Sequence, residues 1–474
     1  MARPPDPPGT LRSPAGSPTS GRPSALPRWW PARWYYGWAL VGALGLTATV
    51  SYGVLLYAFA AFITPMGAEL GWSRTTITGA YSLAQLVTGV AAIPVGRWVD
   101  RHGARGLMTA GSVLAALLLA AWSQVQSVGA FYAVWALLGV AMAAVLYEPA
   151  FAVVATWFRT GRSRALTALT FTGGFASVLF VPFATALVAR AGWRDALLAL
   201  AALYAVCTVL PHALLLRRRP EDVGLAPDGG PAASTEAPMD APTEARTDAR
   251  ATASHPLPAR ASVREAVRSP VFRWLAVAFT LSGLTFTAIG VHLVPLLLER
   301  GHGAAVAGGA MGLLGLMAMP GRLVITPLGS RWSHAAVTAV VFALQAVGLA
   351  ALLATRSLAG VWAFVILFGV GFGAVAPARA ILLADAFGAA HFGRISGVLT
   401  LGISLARAAA PVGASLLYVA AGGVRHGYDA VLATLLVLCA VSAGAVLAAG
   451  RSLPIPAPPS TPLDADAPGL APPP

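Results

Sequence analysis

One ten-residue stretch decides how this chain folds: Gly96-Arg97-Trp98-Val99-Asp100-Arg101-His102-Gly103-Ala104-Arg105. It stands between two long apolar segments. Gly96 has no side chain, so it allows two helices to approach closely. The charges of Asp100 and Arg101 keep this stretch out of hydrocarbon, and it therefore marks a membrane surface. Because positively charged loops collect on the inner side of a membrane, its three Arg residues predict that this surface is cytoplasmic.

The composition of the whole chain is typical of a membrane protein. Only 11% of its 474 residues are charged and 57% are hydrophobic, whereas soluble domains carry about 25% charged residues. The net charge of +14 does not indicate nucleic-acid binding, because the Arg residues lie between hydrophobic segments and form no single basic face. Cys207 and Cys439 lie in apolar segments, which favours two buried small side chains over a disulfide or a metal site.

Twelve apolar runs are long enough to cross a bilayer, which takes roughly 20 residues. Helix is the only state expected for them, because backbone groups in lipid must be hydrogen-bonded within the segment. The predicted spans, numbered 1 to 12, are 36–62, 76–96, 106–123, 129–157, 164–189, 194–216, 272–298, 304–328, 335–354, 360–387, 394–421 and 428–450. The chain is therefore predicted to be an all-α, multi-pass membrane protein.

The distribution of Arg predicts the orientation. With the N-terminus inside, 23 of the 32 basic residues fall in cytoplasmic tails and loops, six fall in outer loops and three lie within spans. All 32 are Arg, because the chain contains no Lys. This bias predicts that both termini are cytoplasmic and that the protein lies in the inner (cytoplasmic) membrane of the cell.

The chain consists of two copies of one unit. Residues about 230 positions apart match in one register, as Pro65 matches Pro295 and Glu69 matches Glu299. Two such repeats with a site at their interface are a transporter design. The predicted organisation is a disordered cytoplasmic tail (1–35), an N-terminal six-helix half (36–216), a flexible cytoplasmic linker (217–271), a C-terminal six-helix half (272–450) and a second disordered cytoplasmic tail (451–474).

The second copy of the opening stretch is degraded, since Ser333 stands where the first copy has Asp100. We therefore expect an asymmetric cytoplasmic latch that is stronger in the first half. The Asp100 carboxylate should face the N-terminus of span 11, near residues 394–397, where the helix dipole favours an anion. Arg101 and Arg159 are the expected neighbouring partners.

Residues 36–450 as a whole resemble the twelve-helix major facilitator superfamily of transporters. The stretch Gly96–Arg105 matches the superfamily's motif between helices 2 and 3, and the stretches 157–165 and 192–194 add support. The resemblance implies two pseudo-symmetric six-helix halves. It also implies a cavity lined by helices 1, 4, 7 and 10 and backed by helices 2, 5, 8 and 11.

Three shorter features are similar to the monocarboxylate and oxalate/formate porter branch of that superfamily. They are Tyr35–Trp38 at the entry to span 1, Arg217–Leu225 at the end of the first half, and Gly321-Arg322 in span 8. In that branch the helix 8 Arg engages the substrate carboxylate, so the resemblance implies this role for Arg322. Arg407 falls near the second cation that oxalate/formate porters carry on helix 11.

Five ionisable residues lie deep in spans that the resemblance places around the cavity: Glu148, His292, Arg322, Arg379 and Arg407. A charge in the middle of a membrane costs about 2.5–3.5 kcal/mol, so each is a candidate functional residue. Three Arg residues against one Glu leave the cavity positive. Since the guanidinium fork fits a carboxylate, a small organic anion is the simplest predicted ligand.

Several candidate residues keep two interpretations. Arg379 either contacts substrate or forms an ion pair with Glu148, because matching prolines place the two at similar depth. His292 is either part of the site or a hydrogen-bonded structural residue. Tyr52 and Tyr57 of span 1 either donate hydrogen bonds to substrate or only pack. Coupling or gating roles are assigned to Gly96, Asp100, Arg101, Glu148 and Arg159.

Two departures from the branch bear on proton coupling. Carriers of monocarboxylates often place an acid four residues before the helix 8 Arg, where this chain has Ala318, and they use a Lys on helix 1, which this chain lacks. Both departures argue against proton symport through these positions. Glu148 is then the deep carboxylate that is left to carry a proton.

The sequence therefore predicts a secondary active transporter that moves a small monocarboxylate or dicarboxylate by alternating access, as a monomer, with or without a coupled proton. One alternative is an exporter of hydrophobic compounds with the same fold, which the three cavity Arg residues disfavour. The other is a transport-inactive membrane sensor or scaffold. An enzyme is not expected, because the sequence shows no metal-ligand cluster, nucleophile–base pair or phosphate-binding loop. No cofactor, metal or nucleic-acid partner is expected either.

Overall fold

The structure is a computed structural model that describes residues 35–229, 263–329, 331–389, 391–424 and 426–452. The tails that the sequence predicts to be disordered lie outside the described residues except at Tyr35, Arg451 and Ser452. Most of the predicted flexible linker, residues 230–262, lies outside them as well.

The described chain crosses the membrane twelve times. Eleven segments are long and apolar enough to cross, and one of them, Arg162–Leu215, has 54 residues. At about 1.5 Å per residue this segment would measure about 80 Å, far more than the ~30 Å of a hydrocarbon core. Gly192 interrupts it with φ 78° and ψ 168°. The segment is therefore two crossing helices that meet at Gly192, which confirms the predicted number of twelve.

The helices follow the predicted order, and we number them α1 to α12. They are α1 (Tyr36–Leu70), α2 (Arg74–His102), α3 (Ala104–Trp122), α4 (Val128–Trp157), α5 (162–191), α6 (193–215), α7 (Pro270–Glu299), α8 (Ala304–Gly329), α9 (His334–Ala354), α10 (Leu358–Phe387), α11 (Phe392–Ala420) and α12 (Gly427–Arg451). Helices α1–α6 form the first half and α7–α12 the second.

The stretch Gly96–Arg105 is not the loop that hydropathy suggests. Helix α2 continues through Asp100 to His102, and α3 begins at Ala104. Gly103 alone forms the connection, with φ 81° and ψ 171°, a conformation that favours glycine. Hydropathy reports where a segment leaves lipid, whereas backbone hydrogen bonds continue beyond that point. Asp100 is therefore held on a helix.

The two halves meet mainly along α2 and α11, with further contacts of α5 with α8 and α10 and of α4 with α11. Gly96 lies directly against the backbone of Gly393, and Gly397 lies against the backbone of Ala92. No side chain separates the helices at these points, so their backbones touch. We call the end of the bundle where α2 ends and α11 begins the arginine-rich end, because the loops that are predicted to be cytoplasmic meet there.

Helices α8 and α10 of the second half are packed just as closely. A Cβ atom at Gly321 would collide with the carbonyl of Val370, and one at Gly373 would collide with the carbonyl of Ala318. Gly321 precedes Arg322, so this close approach fixes the depth and direction of the arginine that follows it.

The first part of the predicted linker is folded against the first half. Val223 is buried in the same apolar cluster as Tyr36 of α1. Asp228 accepts hydrogen bonds from the loop between α4 and α5. Residues 217–229 of the predicted linker therefore pack on the bundle through apolar burial and hydrogen bonds.

Candidate functional site

Helix α1 contains a π-helical turn at Gly53–Tyr57 that brings two tyrosines to the same side. Residues five positions apart on a regular α-helix point about 140° apart. One extra residue in a π-turn reduces this angle to about 40°. Tyr52 accordingly packs against Tyr147, with ring centroids 4.5 Å apart. Tyr57 is 39% exposed and lies close enough to Tyr147 and Arg407 to act on them electrostatically.

Helix α4 is broken at Leu146, which has φ −81° and ψ −162°. Pro149 explains the break, since a proline ring clashes with the carbonyl four residues earlier and lacks the N–H that would bond to it. A new helix segment starts at Tyr147 and carries Glu148 in its first turn. A carboxylate is favourable there, because the N-terminus of a helix is the positive end of its dipole.

Glu148 joins the two halves. Its Oε1 accepts a hydrogen bond from Arg379 Nη2 of α10 at 2.6 Å, and its Oε2 accepts one from Ser396 of α11. Arg379 also donates to Thr400 of α11 at 3.5 Å. The two charged side chains are only 13% and 14% exposed, and low exposure to water strengthens their attraction. The structure thus places Glu148 and Arg379 as an ion pair between the halves.

Arg322 of α8 lies against α5 of the other half. Its Nη1 donates a hydrogen bond to the carbonyl of Thr170. Gly174 makes room for this contact, because a Cβ atom there would collide with the guanidinium. In the described part of the chain the Nε of Arg322 is buried without a hydrogen-bond partner. One donor of this cation therefore remains available.

Arg407 of α11 faces the first half across the bundle. The side chains that act on it are Tyr52, Tyr57 and Tyr81 of the first half, together with Arg379. Its side chain is exposed to solvent although groups of both halves lie near it, as expected for a residue that lines a cavity between the halves. Among the described residues no carboxylate forms an ion pair with it.

The central group therefore has an excess of positive charge. Among the described residues it contains three guanidinium groups and one carboxylate, which pairs with Arg379 alone, and four tyrosine side chains lie near them. Sequence reasoning missed two of these tyrosines, Tyr81, which accepts a hydrogen bond from Gln85 at 3.2 Å, and Tyr147. It also missed Ser396 and Thr400. Their spacing of four residues on α11 is the signal that could have revealed a polar helix face.

A second polar contact closes the arginine-rich end. The Asp100 carboxylate accepts hydrogen bonds from the backbone N–H groups of Gly393 at 3.0 Å and Arg394 at 3.1 Å. These groups lie at the N-terminus of α11, where Asp100 was expected. The guanidinium of Arg394 lies 3.7 Å from the carboxylate. The Asp100 side chain is only 6% exposed.

The expected partners of Asp100 are not the observed ones. Arg394 provides the cation, whereas Arg101 and Arg159 are exposed. The carbonyl of Arg101 accepts a hydrogen bond from Arg218, and the backbone N–H of Arg159 donates to Asp228. The physical reason is that Asp100 points toward α11, while these two arginines belong to the outer surface of the first half.

His292 is separate from the arginine group. Its Nε2 lies 3.2 Å from the carbonyl of Pro411 and 3.5 Å from the hydroxyl of Ser415, both on α11. Its ring packs edge-on against Tyr428 of α12, with centroids 5.9 Å apart. These contacts favour the structural interpretation of His292. In the described part of the chain no group of three His, Cys, Asp or Glu residues could hold a metal ion.

Several transporters have a sequence or a structure similar to that of this chain. YcxA of Bacillus subtilis (strain 168), an uncharacterized MFS-type transporter, is 23% identical over 396 residues, which cover 81% of this chain and 88% of that protein. The human organic anion transporter MFSD10 (TETRAN) superposes with a TM-score of 0.63 at 17% identity, covering 88% of this chain and 99% of that chain.

Two further solved structures have the same fold. The transporter FucP in its outward conformation superposes with a TM-score of 0.62 at 14% identity, covering 86% of this chain and 97% of that chain. A bacterial homologue of the iron transporter ferroportin, in an outward-facing state, superposes with a TM-score of 0.63 at 16% identity, covering 88% of this chain and 100% of that chain. Residues 44–411 match the sequence pattern of one family of transporters. With its twelve helices in two halves, this chain belongs to the Major Facilitator Superfamily.

Proposed function

We propose that this transporter carries a small organic anion, a monocarboxylate or a dicarboxylate, by alternating access. The observation that carries the proposal is the pair of incompletely compensated cations in the membrane interior. Arg322 has a buried Nε without a partner in the described chain, and Arg407 has no carboxylate partner there. The resemblance to the monocarboxylate and oxalate/formate porters supports the same ligand class.

The electrostatics favour an anion over a neutral or cationic substrate. Since Glu148 pairs with Arg379, the charges of Arg322 and Arg407 have no anionic partner among the described residues. Each uncompensated charge at this depth costs about 2.5–3.5 kcal/mol, and a bound carboxylate reduces that cost. Arg forms two parallel hydrogen bonds to a carboxylate, which fixes the orientation of the ligand as well as its charge.

The tyrosines suit the same ligand. Tyr57 is 39% exposed and lies near Arg407, and a phenol O–H can donate to a carboxylate oxygen or to a hydroxyl of the ligand. The alternative of an exporter of hydrophobic compounds fits less well, because such a ligand would leave both cations uncompensated. The alternative of a transport-inactive sensor or scaffold fits less well too, because it gives the two cations no ligand to bind. The human organic anion transporter is only 17% identical to this chain, so its similarity extends to the fold and not to the substrate.

Alternating access is supported by where the halves are joined. Asp100 binds α11, Glu148 binds α10 and α11, and Arg322 binds α5. All these contacts run between the halves, and each must break before the cavity can open at the arginine-rich end. We propose that this end is cytoplasmic, that the protein acts as a monomer in the inner membrane, and that Glu148 carries a proton if one is coupled.

The test is uptake of a panel of labelled carboxylates into proteoliposomes, with and without a pH gradient. Arg322→Lys and Arg407→Lys keep the charge and lose the guanidinium fork. We expect uptake to fall by about tenfold or more, since a bidentate contact contributes on the order of 1.5–3 kcal/mol. Arg356→Lys is the matched control, because the Arg356 side chain is 67% exposed. Wild-type uptake of every carboxylate by both cavity variants would remove the basis for an organic anion.

A further inference from the structure

The segment that follows α6 makes a contact that transport chemistry does not explain. The carboxylate of Asp228 accepts hydrogen bonds from three consecutive backbone N–H groups, those of Arg159 (3.0 Å), Thr160 (2.8 Å) and Gly161 (3.1 Å). These N–H groups precede the first turn of α5, where helical backbone leaves donors without partners. One side chain therefore binds three of the four residues, 158–161, that connect α4 to α5.

The backbone at Asp228 is unusual in a way that supports a specific role. Asp228 has φ 65°, and it is the one residue other than glycine with a positive φ among the described residues. Asp tolerates this conformation better than most residues, although it still costs free energy. Burial raises the pKa of Asp228, but the hydrogen bonds from Thr160, Gly161 and Arg159 outweigh it and lower the pKa overall. The carboxylate is therefore ionised and held by its donors at neutral pH.

The same connection is held from its other side by Tyr35. The Tyr35 hydroxyl donates to the carbonyl of Trp157 at 2.6 Å, and its ring packs edge-on against Phe158 at 5.3 Å between centroids. Gly229 lies against the Tyr35 ring and has room there because it lacks a Cβ. The α4–α5 connection thus lies between the entry to α1 and the segment after α6.

Arg162 extends from this connection to the other half. Its Nε donates to the carbonyl of Phe158 at 3.1 Å, and its Nη1 donates to the carbonyl of Ala384 at 3.3 Å. Ala384 lies near the end of α10, where carbonyl groups point out of the helix and favour a cation. Arg162 therefore ties the α4–α5 connection to α10 across the interface that closes the arginine-rich end.

We propose that Asp228 is a positioning residue for closure of the arginine-rich end: it fixes the α4–α5 connection so that Arg162 reaches α10. Loss of the carboxylate frees the connection, lets Arg162 leave Ala384 and shifts the protein toward the state that is open at this end. The proposal rests on alternating access but not on the identity of the substrate.

The test measures the distance between the halves directly. Spin labels are attached at Gly106→Cys and Arg331→Cys, two exposed positions at the arginine-rich end of different halves, with Cys207 and Cys439 changed to Ala. Pulsed electron paramagnetic resonance on the full chain in nanodiscs then reports the closed and open populations. For Asp228→Asn we expect the ratio of open to closed to rise on the order of tenfold, the effect of about one hydrogen bond to a charged group.

Two variants separate the contact from other effects. Asp228→Gly keeps the left-handed backbone conformation and removes the acceptor, so it should shift the ratio in the same direction. Glu221→Gln removes the same charge from an exposed position in the same segment and should leave the ratio unchanged. The shift should persist in an Arg322→Lys background, so an error about the substrate is distinguishable from an error about Asp228. Unchanged populations in both Asp228 variants, or an equal shift in Glu221→Gln, would overturn the proposal.

Discussion

Gly96→Ala is predicted to open the arginine-rich end without touching the cavity. A Cβ atom at position 96 would lie 2.9 Å from the backbone nitrogen of Arg394 and closer still to the carbonyl of Gly393. Ordinary contacts begin at 3.4 Å. The difference between 2.9 Å and 3.4 Å means that α2 and α11 must separate by at least about 0.5 Å. Both obstructing groups are backbone and cannot rotate away, so the helices themselves must move.

The displacement weakens the contacts of Asp100 one turn further along α2. Its hydrogen bonds of 3.0 and 3.1 Å would lengthen to about 3.5 Å or more, where such bonds are weak. Each bond to a charged group contributes about 1.5–3 kcal/mol, and an overpacked contact costs about 1–3 kcal/mol. A combined loss of about 3 kcal/mol changes the ratio of open to closed about 100-fold.

The assay is the same inter-half distance measurement with labels at positions 106 and 331. Gly42→Ala is the control, because a Cβ atom at Gly42 of α1 would meet nothing within 4 Å. We expect a large open population in Gly96→Ala and none beyond the wild-type level in Gly42→Ala. A closed distance distribution in a folded Gly96→Ala protein would refute the reasoning, since it would mean that the helices accommodate the methyl group without separating.

Three further predictions concern coupling and gating. Asp100→Asn should slow transport several-fold while leaving substrate affinity much less affected, because Asp100 contacts α11 and not the cavity; a binding constant and a turnover rate measured on the same preparation check this. Glu148→Gln should abolish dependence on a pH gradient while sparing exchange, and unchanged proton-driven uptake would exclude Glu148 as the carrier. Hydrogen bonds lower the pKa of Asp228 in the folded protein. The carboxylate is therefore fully ionised, and its contact complete, at any pH above the ordinary pKa of an Asp. The contact is lost only when the pH falls through the lowered pKa. The difference between wild type and Asp228→Asn in the distance measurement should therefore stay constant from pH 8 to pH 5.

Hydropathy was sufficient to predict the twelve helices, because partition into lipid depends on composition, and the internal repeat was sufficient to predict the two halves. They failed at the ends of helices. The predicted span 2 stopped at Gly96, whereas α2 continues to His102. The energy of leaving lipid and the energy of ending a helix are different quantities, and sequence patterns of apolar residues report only the first.

The sequence revealed the charged residues of the candidate site, because a charge in lipid has a high free-energy cost. It did not reveal the residues whose position depends on tertiary packing. Glu148 and the three arginines stood out because charges are rare in lipid. Tyr81 and Tyr147 did not, since tyrosine is common in membrane helices. At the π-turn Gly53–Tyr57, Gly53 lies directly against the ring of Phe180 of α5, a tertiary contact that no local pattern encodes. Asp228 was missed because its segment looked like a linker by composition.

The close packing of α8 against α10 has a mechanical consequence. Backbone touches backbone at Gly321 and again at Gly373, so neither helix can slide past the other without breaking both contacts. Arg322 and Arg379 therefore travel as parts of one rigid unit. If the protein carries an anion as proposed, an anion that draws Arg322 toward itself also moves Arg379 relative to Glu148, so binding acts on the ion pair between the halves without any intervening side-chain rearrangement. Binding of a ligand in the cavity and opening of the arginine-rich end would then be one movement of α8 and α10.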